Sequence, residues 1–433
     1  MYIKRIRLKN IRGFKDLDFD LSRSDKDVFA GWTVFTGDNG SGKSTLLKAI
    51  SIALIGKDAS RSLQSTFEGW IRFEEKEAMI ELDILPHPDE DTFSPQGNSP
   101  KKHFTIGFNF TQNGGKEPAI KAISRMKARP ATVASRGPWS LDAAGWFCCG
   151  YGPFRRIFGA SAEAQRLMSS SATTRFVTMF REDASLAEVD VWLKDLNYKK
   201  LEEKSHAEET LAAVKELLRD EFMPNNILLE NVDSDGVWLK DRQGLQLSWI
   251  NMSDGYRSAL ALMSDILRHM IATYGVSDLF LKDKNGKIVV NKSGVVLIDE
   301  IDAHLHPEWQ RLIGFWLKRH FPQIQFLVTS HSPIICQAAD PKGLFHLPEP
   351  GGDDTPFQLS DEDYSKIIAS KPDKILISPA FGLENSRSPL AVDKRAQYSR
   401  LKAKERSIGK LSAVEKKEVE QLKLNFFADN DEE

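Results

Sequence analysis

The sequence predicts an α/β fold, a mixed sheet with helices on its flanks. Three observations predict it. Gly37-Asp38-Asn39-Gly40-Ser41-Gly42-Lys43-Ser44-Thr45 lies between an apolar run, Trp32 to Thr36, and an apolar helical run, Leu46 to Leu54. Gly294 to Asp302 and Ile324 to Pro333 are continuous apolar runs ending in polar tips, Asp299-Glu300 and Ser330-His331-Ser332. Such runs read as buried parallel strands, and ligands sit outside the carboxyl ends of those strands. Residues 1–22 alternate apolar and polar, which gives two antiparallel strands around Asn10-Ile11-Arg12-Gly13.

The glycine-rich stretch fits the phosphate-loop pattern G-x-x-x-x-G-K-[ST]. Gly40 and Gly42 let backbone N–H groups turn inward around phosphate oxygens. Lys43 reaches the terminal phosphates, and the Ser44 hydroxyl is a ligand for Mg²⁺. The following helix presents its N-terminus to the phosphates. Gly37, Asn39, Gly40, Ser41, Gly42, Lys43, Ser44 and Thr45 are the candidate nucleotide contacts, and ATP with Mg²⁺ is the implied cofactor. Arg12 is a further candidate. It and Lys15 either lean over the nucleotide or are solvated edge charges.

The chain has 433 residues, which implies one large domain with insertions or two to three lobes. A formal net charge of −2 excludes a whole-molecule electrostatic nucleic-acid binder, so any basic surface must be local. Cys148 and Cys149 are adjacent and Cys336 is far away, which fits neither a disulfide framework nor zinc spacing. No apolar run reaches membrane-spanning length and the first residues lack a signal-peptide core, so a cytoplasmic protein is expected.

In chain order, strands are expected at Trp70 to Phe73, Ala78 to Leu85 and His103 to Phe110, with a surface loop at 86–102. Between Lys116 and Arg175 stand ten Lys/Arg (Lys116, Lys121, Arg125, Lys127, Arg129, Arg136, Arg155, Arg156, Arg166, Arg175) against three acids. A DNA-backbone contact surface is one reading of this asymmetry. A solvated loop, or arginines serving the nucleotide site, is the other. Gly145 to Tyr151 reads as a buried strand. From Ser161 to Arg219 apolar residues recur at three and four, a compact helical lobe. Hairpin turns follow at Asp233 to Gly236 and Asp241 to Gly244. Asn251-Met252-Ser253-Asp254-Gly255 then opens an apolar helix, and another runs from Trp309 to Arg319. Near the end, Pro350 to Asp354 is a turn, Lys374 to Ile377 an edge strand, 391–424 two charged helices and Asp429 to Glu433 an acidic tail. Between Arg387 and Lys410, eight Lys/Arg face two acids, which reads as a solvated helix face.

Four elements stand in one order: phosphate loop, Ser-Asp-Gly turn before a helix, strand ending in Asp299-Glu300, strand ending before His331. Asp299 is a metal ligand, directly or through water. Glu300 is placed to take a proton from attacking water, as a general base must be within hydrogen-bond reach. His331 contacts the terminal phosphate. His304 and His306, two apart and beside Pro307, read as loop packing rather than metal ligands.

This order resembles the ABC-type P-loop ATPase head, in the branch of SMC-type, RecF-like and OLD-like proteins, and within it the stand-alone ATPases of Septu-type anti-phage systems. The resemblance covers roughly residues 1–60, 145–157 and 245–335. It rests on Ile3 to Phe14, Met252-Ser253-Asp254-Gly255, the run Asp299 to Pro307, and Thr329-Ser330-His331-Ser332-Pro333. It implies that two heads sandwich ATP, that Ser253 and Gly255 act on the nucleotide held by the partner head, and that Asp302 lies at the seam. Two departures stand out: Asp254 where many members have Gly, and Gly150-Tyr151-Gly152-Pro153 without the glutamine that family members carry there.

The expected organisation is head at 1–110, basic insertion and strand at 111–160, helical lobe at 161–222, head again at 223–345 and a C-terminal extension at 346–433. The implied function is an ATPase that hydrolyses ATP at a head-to-head dimer. The resemblance to Septu-type ATPases implies that it regulates a separate nuclease. The 102 residues after His331 are too few for the head's own ending and the nuclease domain of OLD-like proteins, so any nuclease is expected to be a partner. The alternative is a RecF-like repair ATPase. A transporter motor fits poorly, and no membrane partner is expected.

Overall fold

The computed structural model of the protein describes residues 1–23, 28–95, 102–125, 133–171, 173–204, 206–349 and 354–426. Residues 350–353 of the expected turn, the acidic tail at 429–433, and Lys127 and Arg129 lie outside them.

A six-stranded sheet carries the polar tips. From one edge its strands are Phe357–Gln358, Leu344–His346, Gly31–Thr36, Ile324–Thr329, Gly294–Ile298 and Cys148–Tyr151. All pair in parallel except the first, which is antiparallel. Residues alternate faces along these strands. Val34, Val296, Ile298, Phe326 and Val328 enter one core, while Phe35, Val295, Leu297 and Leu327 enter another. Both faces are covered, so the strands read as unbroken apolar runs. Register aligns the strand ends: Ile298 pairs with Val328 and with Tyr151, and Thr329 pairs with Phe35. The phosphate loop, Asp299-Glu300, His331 and the segment after Tyr151 therefore leave the sheet at one edge.

The second sheet is antiparallel, in the order Phe14–Asp20, Tyr2–Ile11, Glu77–Leu85, Phe104–Thr111, Ala119–Arg125. The helix Lys43–Ile55 lies between the two sheets. Leu46, Leu47, Ala49, Ile50, Ile52, Ala53 and Leu54 are all buried, so it is apolar all round rather than along one stripe. Each fully buried Leu or Ile side chain contributes roughly 1.5–3 kcal/mol, which anchors the phosphate loop at the helix start. On the far face of the parallel sheet pack the helices Asp254–Tyr274 and Pro307–His320. Joining that core are the helices Glu188–Leu201 and Ala207–Arg219 and the hairpin Leu228–Asp233 with Gly236–Lys240. Residues 162–168 and 176–180 belong instead to the core around the antiparallel sheet.

Two expected strands are different structures. Trp70 to Phe73 makes one isolated bridge, Ile11 to Ile71, and then turns at Glu74, whose φ is 68°. Trp70 is buried, but Phe73 is 88% exposed, so the run has no inward face to extend. Lys374 to Ile377 falls in and just past a short helix, Pro372–Leu376, started by Pro372 in the first turn, where its fixed φ suits a helix. Only Ile375 of that helix is buried, so no two-residue alternation was needed. Conversely, the strand Ala119–Arg125 escaped notice because its buried residues, Ile120, Ile123 and Ser124, break the period of two.

The helices Pro389–Ile408 and Ala413–Phe426 form a hairpin around Gly409, left-handed at φ 75°. Among the described residues, no helix is long and apolar enough to cross a membrane.

Candidate functional site

Gly42 is the residue before the helix Lys43–Ile55, in the left-handed region at φ 92°. A Cβ there would sit 2.7 Å from the Phe14 ring, so both backbone and space require glycine. The first N–H groups of a helix have no intrahelical partners and point at whatever lies before it. Gly37, Asn39, Gly40, Ser41, Ser44 and Thr45 surround the same opening. Ser41 Oγ is buried there without a hydrogen-bond partner among the described residues. Lys43 folds back over the loop, and its Nζ donates to the carbonyls of Gly37 (2.8 Å) and Asp38 (2.9 Å). Burial pushes the ammonium below its usual range, while Asp299, Glu300, Asp38 and Asp302 oppose the shift. Lys43 therefore sits within electrostatic reach of four carboxylates.

Asp299 donates its N–H to the Tyr151 carbonyl at 2.8 Å, and its Oδ1 accepts the Thr329 hydroxyl at 2.6 Å. Its other oxygen, Oδ2, is buried without a hydrogen-bond partner among the described residues. A buried carboxylate oxygen left unbonded is costly, which marks it as poised for a ligand. Glu300 is half-buried and left-handed, with φ 47°. That conformation is uncommon for a residue with a side chain and persists only where neighbours enforce it. Its N–H donates to Thr329 Oγ1 at 2.7 Å.

Beyond Glu300, Asp302 Oδ1 accepts the Ser330 hydroxyl at 2.6 Å, and Ser332 donates to Gln310 Oε1 at 2.7 Å. His331 stands between these two fixed serines, half-buried, with no side-chain partner among the described residues. His306 Nδ1 accepts the Glu308 N–H at 3.4 Å and caps the helix Pro307–His320. Among the described residues no group of three or more His, Cys, Asp or Glu is arranged to hold a metal ion.

Ser253 occupies the position before the helix Asp254–Tyr274, exposed and making no capping bond. Asp254, the departure from glycine, lies in the first helical turn and pairs with Arg257. A carboxylate there suits the helix dipole. Gly255 packs on the loop after the carboxylates: a Cβ would lie 2.5 Å from the His304 carbonyl oxygen. Arg12 is exposed, with its guanidinium 4.6 Å from the centre of the Trp70 ring. Burial lowers Lys48, on the phosphate-loop helix; Asp299 opposes that shift, and Arg12 adds to it.

The basic stretch is not one surface. Arg155 is 4% exposed and Arg125 pairs with Glu81, whereas Lys116, Lys121, Arg156 and Arg166 are exposed. Arg155 bonds to the backbone around Asp299 and Glu300, so of the open readings it fits an arginine at the nucleotide site and not a surface charge. Sequence reasoning also missed Tyr151, Thr329 and Lys48. The available signal was position: Tyr151 and Thr329 end parallel strands, where sites form, and Arg155 follows one by four residues.

A family profile described as "AAA domain, putative AbiEii toxin, Type IV TA system" matches residues 32–337. The chain is 27% identical over 343 residues to a Septu protein PtuA of Bacillus mycoides (strain KBAB4), covering 77% of this chain and 38% of that protein. It is 37% identical over 128 residues to "Retron Ec83 probable ATPase" of Escherichia coli, covering 29% of this chain and 22% of that protein. Similarity to the DNA replication and repair protein RecF of Clostridium kluyveri is 34% over 85 residues, 20% of this chain and 21% of that protein. The chain thus spans well under half the length of each of these relatives.

Proposed function

The chain belongs to this AAA-domain family, an ATPase family with the P-loop head fold, and we propose that it hydrolyses Mg²⁺-ATP between two copies of itself. The carrying observation is the unpartnered Asp299 Oδ2, buried beside Lys43 and the left-handed Glu300. Bound Mg²⁺ would neutralise charge on the terminal phosphates, with Ser44 and Asp299 as the residues to hold it. Lys43 has its ammonium at the loop mouth and binds the terminal phosphates. Glu300 accepts the proton of the attacking water, and His331 contacts the terminal phosphate. Ser253 and Gly255 serve the site of the partner copy, which the exposure of Ser253 supports.

ATP hydrolysis alone does nothing to nucleic acid, so its cycle must be read by something else. We place the protein in the cytoplasm as the regulatory ATPase subunit of a bacterial anti-phage complex with a separate nuclease. Similarity to the Septu protein supports this reading. The hairpin of Pro389–Ile408 and Ala413–Phe426 is the proposed dock, since its first helix buries none of its residues. The second reading, a RecF-like repair ATPase, rests on the shorter similarity to RecF. DNA is proposed as a ligand only of the exposed Lys116, Lys121, Arg156 and Arg166.

The test is co-purification with the product of the neighbouring gene, followed by nuclease assays across ATP concentrations. Deleting residues 387–433 should release the partner and leave ATP binding intact. Nuclease activity indifferent to ATP and to Lys43→Ala would put the repair reading first.

A further inference from the structure

Arg155 stands in the segment after the edge strand Cys148–Tyr151. Its guanidinium is surrounded by backbone carbonyls. Nη1 donates to Gly152 (3.0 Å) and Asp299 (2.8 Å); Nη2 donates to Glu300 (2.9 Å) and, more weakly, Ala303 (3.4 Å). Three of those four carbonyls belong to the loop that carries the metal-binding and base carboxylates. That loop is not a helix and satisfies only part of its own carbonyl capacity. Among the described residues, Glu300 O receives the Ala303 N–H (2.9 Å) and Arg155. The Arg155 carbonyl in turn accepts the Ser258 hydroxyl at 3.3 Å, from the helix that Ser253 opens. Gly255 of that helix presses on His304, four residues past Glu300. One residue therefore joins three parts: its guanidinium ties the strand-edge segment to the carboxylate loop, and its carbonyl ties both to the helix of the Ser253 turn.

We propose that Arg155 is the positioning residue of the ATPase site, holding Glu300 in its left-handed conformation and tying that conformation to the Ser253 helix. The inference rests on the reading of Glu300 as general base. The physical argument is the fork. A planar guanidinium has five donors in fixed directions and spans several carbonyls at once, whereas a lysine ammonium is a point charge. Both peptide planes that flank the Glu300 Cα are held: Arg155 Nη1 on the Asp299 carbonyl and Thr329 Oγ1 on the Glu300 N–H fix the first, and Arg155 Nη2 on the Glu300 carbonyl fixes the second. Burial pushes Arg155 down to about 10, opposed by Asp299, Asp302 and Glu300, so it remains charged at neutral pH. That charge also offsets the three carboxylates crowded at the strand end. Arg155 does not line the phosphate loop, and its loss should misplace the base without removing a nucleotide contact.

The experiment measures steady-state ATP turnover and the Kd of Mg²⁺-ATP for the full chain and for Arg155→Lys and Arg155→Ala, with thermal melting to confirm folding. Arg155→Lys keeps the charge and loses the fork. The expected result is a Kd within about threefold of wild type and a kcat lower by on the order of 10²-fold, the scale of a misplaced reacting group. Methylguanidinium at about 10 mM should restore part of the Arg155→Ala turnover while ethylammonium does not, because only the former reproduces the fork. A structural role would move Kd and melting together and show no rescue. Arg155→Lys turning over ATP like wild type, or losing ATP affinity in step with kcat, overturns the proposal while leaving the ATPase reading in place. A wild-type protein that hydrolyses no ATP removes that reading and this positioning role with it.

Discussion

Thr329 donates its hydroxyl to Asp299 Oδ1 at 2.6 Å, across two neighbouring parallel strands. Thr329 Oγ1 in turn accepts the Glu300 N–H at 2.7 Å. One hydroxyl thus orients the metal-binding carboxylate and the backbone of the base. Thr329→Val keeps the shape and leaves Asp299 Oδ1 and the Glu300 N–H unbonded. A buried polar group left unsatisfied costs about 1–3 kcal/mol, and that loss should appear in urea unfolding. Turnover should fall by on the order of 10²-fold, the scale for a misplaced catalytic group. Thr329→Ser should restore both, and a valine variant with full turnover would remove Thr329 from the site.

Glu300→Gln should bind ATP and hold it unhydrolysed. General-base catalysis contributes roughly 10²–10⁴-fold, so turnover should drop by that range with ATP affinity retained. Lys43→Ala should lose binding itself. Both are read by ATP turnover and by equilibrium binding of Mg²⁺-ATP. Equal turnover by wild type and Glu300→Gln refutes the assignment.

Ser253 and Gly255 should separate function from stability. Ser253 is exposed and caps nothing, so Ser253→Ala should change stability by no more than about 0.5 kcal/mol, as for an ordinary surface substitution. It should still abolish ATP-driven association if the hydroxyl reaches the partner's nucleotide. Gly255→Ala collides with the His304 carbonyl and should destabilise by about 1–3 kcal/mol. Light scattering with and without ATP, in the Glu300→Gln background, is the measurement. A monomer under both conditions in that background alone ends the trans role.

Acid stability should depend on Asp265. Its Oδ2 accepts the Tyr151 hydroxyl at 2.9 Å and lies 3.3 Å from His269 Nε2, while Oδ1 accepts from Arg268 at 2.8 Å. Burial works against its charge, but His269, Arg268 and Tyr151 together hold the carboxyl well below the usual range. A depressed folded pKa stabilises fully above the unfolded value, about 3.9, and the contribution is lost as pH falls through the lower folded value. Asp265→Asn should therefore cost about 3–5 kcal/mol at neutral pH, as for a broken buried pair, and a smaller amount below pH ~3. Urea midpoints from pH 7 down to about 2.5 would show the gap narrowing; a constant gap would deny the linkage.

The sequence by itself determined the order of parts and the strands that present them. A strand buried on both faces must be apolar throughout, so Gly294 to Ile298 and Ile324 to Thr329 were legible, along with the polar residues after them. The phosphate loop was legible because phosphate chemistry demands glycine, lysine and a hydroxyl at fixed spacing. Short, weakly buried pieces were not. Pro372–Leu376 buries one residue and Ala119–Arg125 breaks its alternation, so neither leaves a period to read. Tertiary structure alone decided how the tips are held. Thr329 meets Asp299 and Glu300 only because register aligns two strands thirty residues apart in sequence. Arg155 looked like one basic residue among ten. Its burial against the Asp299 and Glu300 carbonyls follows from sheet order, which sets Cys148–Tyr151 beside Gly294–Ile298 across a separation of about 150 residues that no local pattern encodes.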